Sequence, residues 1–129
     1  MGETFGGATA GTTLGPLPIA ISRAANERYW RAAGVDHPRL REGALYPPIA
    51  ANLTILLFQT VASQPLLHTA QRLTAHRHAD ADVELTVTGV VAERFDKRGR
   101  EYAIVEAEVA LPDGSPLWTS VATFTEAVR

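Results

Sequence analysis

The segment PPIAANLTILLFQTVAS, residues 47–63, constrains the fold more than any other part of this chain. Pro47 and Pro48 suit the first turn of a helix, where a missing backbone N–H costs nothing. Beyond them, Ile49, Leu53, Leu56, Leu57, Thr60 and Val61 cover most of a helix's circumference. A helix that is apolar nearly all round has to be buried. Asn52 and Thr54 interrupt the run, and it falls short of the roughly 20 residues that a membrane span needs. The rest of the chain therefore has to supply a surface that covers one buried helix.

That surface reads as strands. Residues 68–79, HTAQRLTAHRHA, alternate weakly. In residues 82–95, Val83, Leu85 and Val87 alternate with Glu84, Thr86 and Thr88, the period-two pattern of a half-buried strand. DKRG is a hairpin turn in which Gly99 is free to take a positive φ. Residues 100–111 then turn Val105, Ala107 and Val109 inward and Glu106 and Glu108 outward. PDGSP makes a second turn, and residues 117–128 form the last strand, with Trp118 and Phe124 expected on the central helix.

The part before the buried helix is shorter. PLPIAI, residues 16–21, is a first strand, and Ser22 is a good N-cap because its hydroxyl can accept a free backbone N–H. RAANERYWRAAG follows as a helix ending at Gly34, with Ala25, Tyr29, Ala32 and Ala33 on one face. Residues 35–46 are a loop of mixed charge. Residues 1–15 are small, polar and glycine-rich and are expected to be a flexible tail, leaving residues 16–129 as one domain. Strand, helix, buried helix and antiparallel meander together make the class α+β.

Composition removes several functions. At 129 residues and 46% hydrophobic, the chain is one globular domain. A net charge of −2 with scattered basic residues argues against a nucleic-acid partner. The lack of cysteine excludes disulfides, Cys-based zinc sites and a Cys nucleophile. His68, His76 and His78 lie near or on one strand, but nothing completes a ligand set, so no metal site is expected. No basic start leads into a long apolar run, so a cytoplasmic protein with no membrane association is expected.

Three segments go further. YWRAAGVDHPRL, PPIAANLT and the DGSPLW turn give the chain, over roughly residues 16–128, a resemblance to the MaoC-like hydratases and dehydratases. In that family the first two segments read Y…A…GDxNPxH and PIAHGML. The resemblance implies a single hotdog fold, a curved antiparallel sheet wrapped around a long central helix. It also implies hydration of an α,β-unsaturated thioester, or the reverse reaction. There a base activates water, an acid protonates the α-carbon, and a helix N-terminus stabilises charge on the thioester oxygen.

The departures from the family pattern fall on the reactive positions. Aligning Gly34 and Pro38 places Val35 where the family has its catalytic Asp, His37 on its Asn and Leu40 on its catalytic His. Aligning PIAAN on PIAHG places Ala51 on the family's His and Asn52 on its Gly. The usual acid/base pair is absent. Many MaoC-like enzymes are double hotdogs in which one half carries that pair and the other binds the acyl chain, and this chain looks like the second kind of half. The resemblance thus implies the substrate-binding subunit of an enoyl-thioester hydratase or 3-hydroxyacyl dehydratase, with weak or no activity alone. Its implied partners are an acyl thioester and either a second copy or a hotdog with an intact Asp/His pair. It implies no separate cofactor, coenzyme A or phosphopantetheine being part of the substrate.

Two other classes stay open. One is a self-sufficient enzyme: a hydratase using His37 with Asp36, with Glu42 or with a partner's carboxylate, or else a hotdog thioesterase. The other is a non-catalytic acyl-binding regulatory protein. The residues expected to meet substrate are Tyr46, Ala51, Asn52 and Leu56. Each has an ordinary reading beside it: Asp36 and His37 as solvated loop, Tyr46 as packing, Asn52 bonding a loop carbonyl. Arg72, Arg77, Arg94, Arg98 and Arg100 would meet carrier phosphates or simply be solvated.

Overall fold

One ten-residue helix, Ile49–Phe58 (α3), organises the molecule, and it touches every strand of a single sheet. The computed structural model describes residues 4–127; residues 1–3 of the expected tail and 128–129 at the chain's end lie outside the described residues. The other elements are β1 (Thr13–Ala20), α1 (Arg23–Ala32), α2 (Pro38–Arg41), β2 (Leu66–Ala75), β3 (Glu84–Lys97), β4 (Arg100–Ala110) and β5 (Pro116–Glu126). All pairings are antiparallel, in the order β1-β3-β4-β5-β2, so β1 and β2 are the edges. Each pairing contains a register shift, and such bulges bend strands and increase their twist. A five-stranded sheet with one helix against it is the α+β hotdog architecture.

The alternation in β3, β4 and β5 sets which residues face the helix. Leu85, Val87, Val91, Val105, Val109, Trp118, Ala122 and Phe124 are all buried, against Ile49, Leu53, Leu57 and Phe58 of α3. Each large aliphatic or aromatic side chain buried this way contributes about 1.5–3 kcal/mol. Gly89 sits between Val87 and Val91, and a Cβ there would meet the Glu106 carbonyl oxygen at 2.6 Å and a Leu57 methyl at 2.9 Å. The missing side chain lets Leu57 sit close to the sheet.

Several expectations are corrected. Residues 4–15 do not stand off as a tail. Phe5 is fully buried, its ring 5.5 Å from that of Phe58, which in turn lies 5.5 Å from the Phe124 ring at a tilt. The backbone N–H of Phe5 donates to the Glu126 carboxylate at 2.8 Å, and Arg94 lies over the Phe5 ring at 4.8 Å while bonding the Ala8 carbonyl. Composition hides this because one aromatic among small residues carries all the anchoring. β1 also starts three residues earlier than PLPIAI.

The central helix is shorter than residues 47–63. Pro47 and Pro48 form the turn that leads into it, and after Phe58 the chain tightens as the Thr60 hydroxyl donates to the Leu57 carbonyl at 2.7 Å. Nor is it buried all round, since Asn52, Leu56, Gln59 and Thr60 share an exposed face. On α1 the buried residues are Asn26 and Trp30, whereas Tyr29, Ala32 and Ala33 are exposed. The helix turns its one indole and one amide inward because both find room or partners there. β2 ends at Ala75, so His76 and His78 follow the strand and do not lie on it.

Candidate functional site

The site is assembled from α1 and the entry to α3. Ser22 caps α1 by accepting the Ala25 N–H at 3.0 Å, and Gly34 closes it in the left-handed conformation. This fixes Asn26 and Tyr29 one turn apart. Asn26 is buried, and its amide donates to the Ala44 carbonyl at 2.8 Å while its Oδ1 accepts the Tyr46 N–H at 2.9 Å. It therefore ties α1 to the loop that delivers α3, a role that no pattern in the sequence marks beyond a polar amide in mid-helix.

At the start of α3 the amides are occupied. Ile49, Ala50 and Ala51 donate to the carbonyls of Tyr46, Pro47 and Pro48 at 3.1, 2.9 and 3.2 Å. The expectation that substrate meets the helix start around Ala51 and Asn52 runs into this turn, because a ligand on the Ala51 N–H would compete with the Pro48 carbonyl. The nearby side chains present a different donor. Asn52 Nδ2 donates to the Tyr29 hydroxyl at 2.8 Å, which leaves the phenolic O–H free to donate onward. Tyr29 is 37% exposed, and Leu56, on the exposed face of α3 one turn beyond Asn52, is 46% exposed. The combination is a polarised hydroxyl beside one exposed apolar side chain, Leu56. It can hold and polarise a carbonyl, but it contains no carboxylate or imidazole to act as a general base. Sequence reasoning placed Tyr29 on one face of α1 without showing its partner.

Asp36 and His37 are not brought together. Asp36 pairs with Arg41, and His37 caps α2, its Nδ1 accepting the Arg39 N–H at 3.1 Å. Both are exposed, and among the described residues no hydrogen bond or ion pair links either to Tyr46, Ala51, Asn52 or Leu56. Val35 and Leu40, which the motif resemblance aligned with an acid and a base, are half-buried. Tyr46 is half-buried too, held through its backbone.

A second polar group lies deeper. Thr54, fully buried in mid-α3, is hydrogen-bonded to the Ala50 carbonyl at 2.8 Å and to the Ser120 hydroxyl at 2.9 Å. Gln71 of the edge strand donates to the same Ser120 oxygen at 2.8 Å. The group ties helix, β5 and β2 together and satisfies hydroxyls that would otherwise be costly to bury. Among the arginines weighed as phosphate ligands, Arg94 is engaged by Glu101 at 2.8 Å and Arg100 by Thr125 and Glu126. Among the described residues no three of His, Asp and Glu gather as metal ligands, and no helix is long and apolar enough to cross a membrane.

These features define a hotdog protein with a side-chain donor pair at the entry of its central helix. No family model matches the chain, and no curated protein matches it by sequence. Solved structures do. The monoamine oxidase regulatory protein from Archaeoglobus is similar at a TM-score of 0.77 and 10% identity, over 97% of this chain and 94% of its own. The MaoC-like dehydratase from Rhodospirillum rubrum matches at 0.70 and 14% identity, over 99% of both chains. The HadBC 3R-hydroxyacyl-ACP dehydratase complex from Mycobacterium tuberculosis matches at 0.68 and 16% identity, over 90% of this chain and 96% of that one. The chain has the hotdog fold of the MaoC-like dehydratases.

Proposed function

We propose that this chain is the acyl-thioester-binding hotdog of an enoyl-thioester hydratase or 3-hydroxyacyl-thioester dehydratase, acting beside a second hotdog that supplies the acid and base. The observation that carries the reading is the Tyr29–Asn52 pair at the entry of α3, next to exposed Leu56; the motif alignment adds that Val35 and Leu40, neither an acid nor a base, stand where the MaoC-like pattern has its reactive pair. The phenolic O–H would donate to the thioester oxygen, and the acyl tail would start against exposed Leu56. The substrate arrives on coenzyme A or a phosphopantetheine arm, with no separate cofactor, in the cytoplasm. That the HadBC dehydratase structure is a complex supports a partner of the same fold.

Binding and turnover then separate. The purified chain should bind a medium or long acyl thioester measurably, yet hydrate an enoyl thioester at background rate until a partner co-purified from the native host is added. A well-placed acid or base contributes about 10²–10⁴-fold in rate, so His37→Ala should change partner-supported turnover by less than about tenfold. Fast hydration by the isolated chain that collapses in His37→Ala would overturn the proposal and make His37 the catalytic residue.

A further inference from the structure

We infer that the cleft between α1 and α2 binds phosphate, and that it holds the phosphate groups of the substrate's carrier arm. Residues 23–42 carry five arginines against three acids, in a chain whose net charge is −2. Arg23, Arg31 and Arg41, with Glu27, Trp30 and Leu40, line a cleft of about 220 Å³. Its geometry is built. The Arg23 guanidinium donates to the Arg41 carbonyl at 2.7 Å, joining the two walls, and the Arg31 guanidinium lies 4.8 Å from the centre of the Trp30 ring. The indole N–H of Trp30, buried in the same wall, has no partner among the described residues.

The arginines have donors to spare. Arg31 uses Nε toward Glu27 at 2.6 Å, and Arg41 uses Nη1 toward Asp36, so each keeps further N–H groups free. Both ion pairs are open to solvent, with Arg31 and Arg41 side chains 64% and 52% exposed. Such pairs are weak, and a phosphate can replace a carboxylate on the planar guanidinium fork with bidentate bonds.

The assignment to the carrier arm rests on the function proposed above. α1 is the wall common to both places. Tyr29, on one flank, meets Asn52 at the acyl site, while Arg23, Glu27 and Arg31, on the other, face the cleft. One helix, about 10–12 Å across with its side chains, separates them. A pantetheine arm, with two amide units between its sulfur and its phosphate, is long enough to pass around it.

Calorimetric titration tests this on the whole chain and on Arg31→Gln, Arg41→Gln and the double variant, whose exposed positions leave the core untouched. Three titrants carry the same octanoyl group: on coenzyme A, on the phosphopantetheine arm of a carrier protein, and on N-acetylcysteamine, which has no phosphate. The double variant should bind one or both phosphate-bearing titrants about tenfold or more weakly, and the phosphate-free one within about twofold of the parent chain. A loss confined to coenzyme A assigns the cleft to its nucleotide phosphates; a loss on the carrier protein assigns it to the phosphodiester of the arm. Unchanged binding of all three in the double variant overturns the cleft and leaves the thioester reading standing. If no thioester binds at all, the proposed function fails, and inorganic pyrophosphate becomes the probe. Pyrophosphate binding lost in the double variant keeps the anion cleft, and no pyrophosphate binding overturns it as well.

Discussion

Leu57 shows how far a single residue could be read in advance. Its place in an apolar run predicted burial, and it is fully buried with methyl groups packed where Gly15 and Gly89 lack side chains. Leu57→Ala should cost about 2–5 kcal/mol, from lost burial plus a cavity, measured as a shift in the urea midpoint. The complementary change, Gly89→Ala, should cost about 1–3 kcal/mol by overpacking, because its Cβ would have to displace backbone as well as a flexible methyl. Asn52 was legible as an oddity, yet its partner was not, since Tyr29 reaches it from another helix 23 residues away. Tyr29→Phe separates structure from function. A hydrogen bond of this kind contributes roughly 0.5–1.5 kcal/mol, so the melting temperature should fall by only a few degrees, whereas affinity for an acyl thioester should fall measurably if the hydroxyl meets the carbonyl. Equal affinity in Tyr29→Phe would remove the hydroxyl from the site.

At the scale of elements, alternation told more than composition did. The inward residues of β3, β4 and β5 were readable because one face of each strand packs on α3, and that face follows a period of two. The edge strand β2 was placed two residues late because its alternation is weak, and it is weak because most of the strand is exposed. The N-terminal segment was misread for a different reason. Its anchors come from distant strands, through Arg94, Glu101 and Glu126. Glu101 is held below the usual glutamate range chiefly by a hydrogen bond from Thr4, which burial partly opposes and the weaker effects of the Arg94 charge and hydrogen bond reinforce. A depressed carboxylate stabilises the fold above its ordinary value and loses that contribution as pH falls through the lowered one. Local opening of residues 5–12, read by amide exchange relative to β4, should therefore rise on acidification. Glu101→Gln should show the same excess opening already at neutral pH. An unchanged exchange ratio in that variant would mean that Glu101 adds nothing and that Phe5, Arg94 and Glu126 suffice to hold the segment.

At the scale of the whole molecule the two sheet edges are not equivalent, and this bears on assembly. β1 carries Pro16 and Pro18 and a break in register between Leu14 and Leu17, features that discourage a further strand from adding. β2 runs for ten residues without proline, is paired only with β5, and leaves most of its residues exposed. A row of unpaired N–H and C=O groups of that length is a template for another strand, so β2 is the edge that a second hotdog should cover. Gln71 adds a reason to expect a defined geometry there, because its bond to Ser120 anchors β2 to the buried Thr54 of α3. The chain should therefore be a dimer or larger at micromolar concentration by light scattering, and the β2 amides that face away from β5 should exchange slowly. Ser120→Ala would leave the Gln71 amide and Thr54 without their shared partner. It should cost about 1–3 kcal/mol and loosen β2 before the rest of the sheet. A clean monomer whose outward β2 amides exchange freely, in the absence and presence of co-purified host proteins, would count against both the assembly and the need for a catalytic partner.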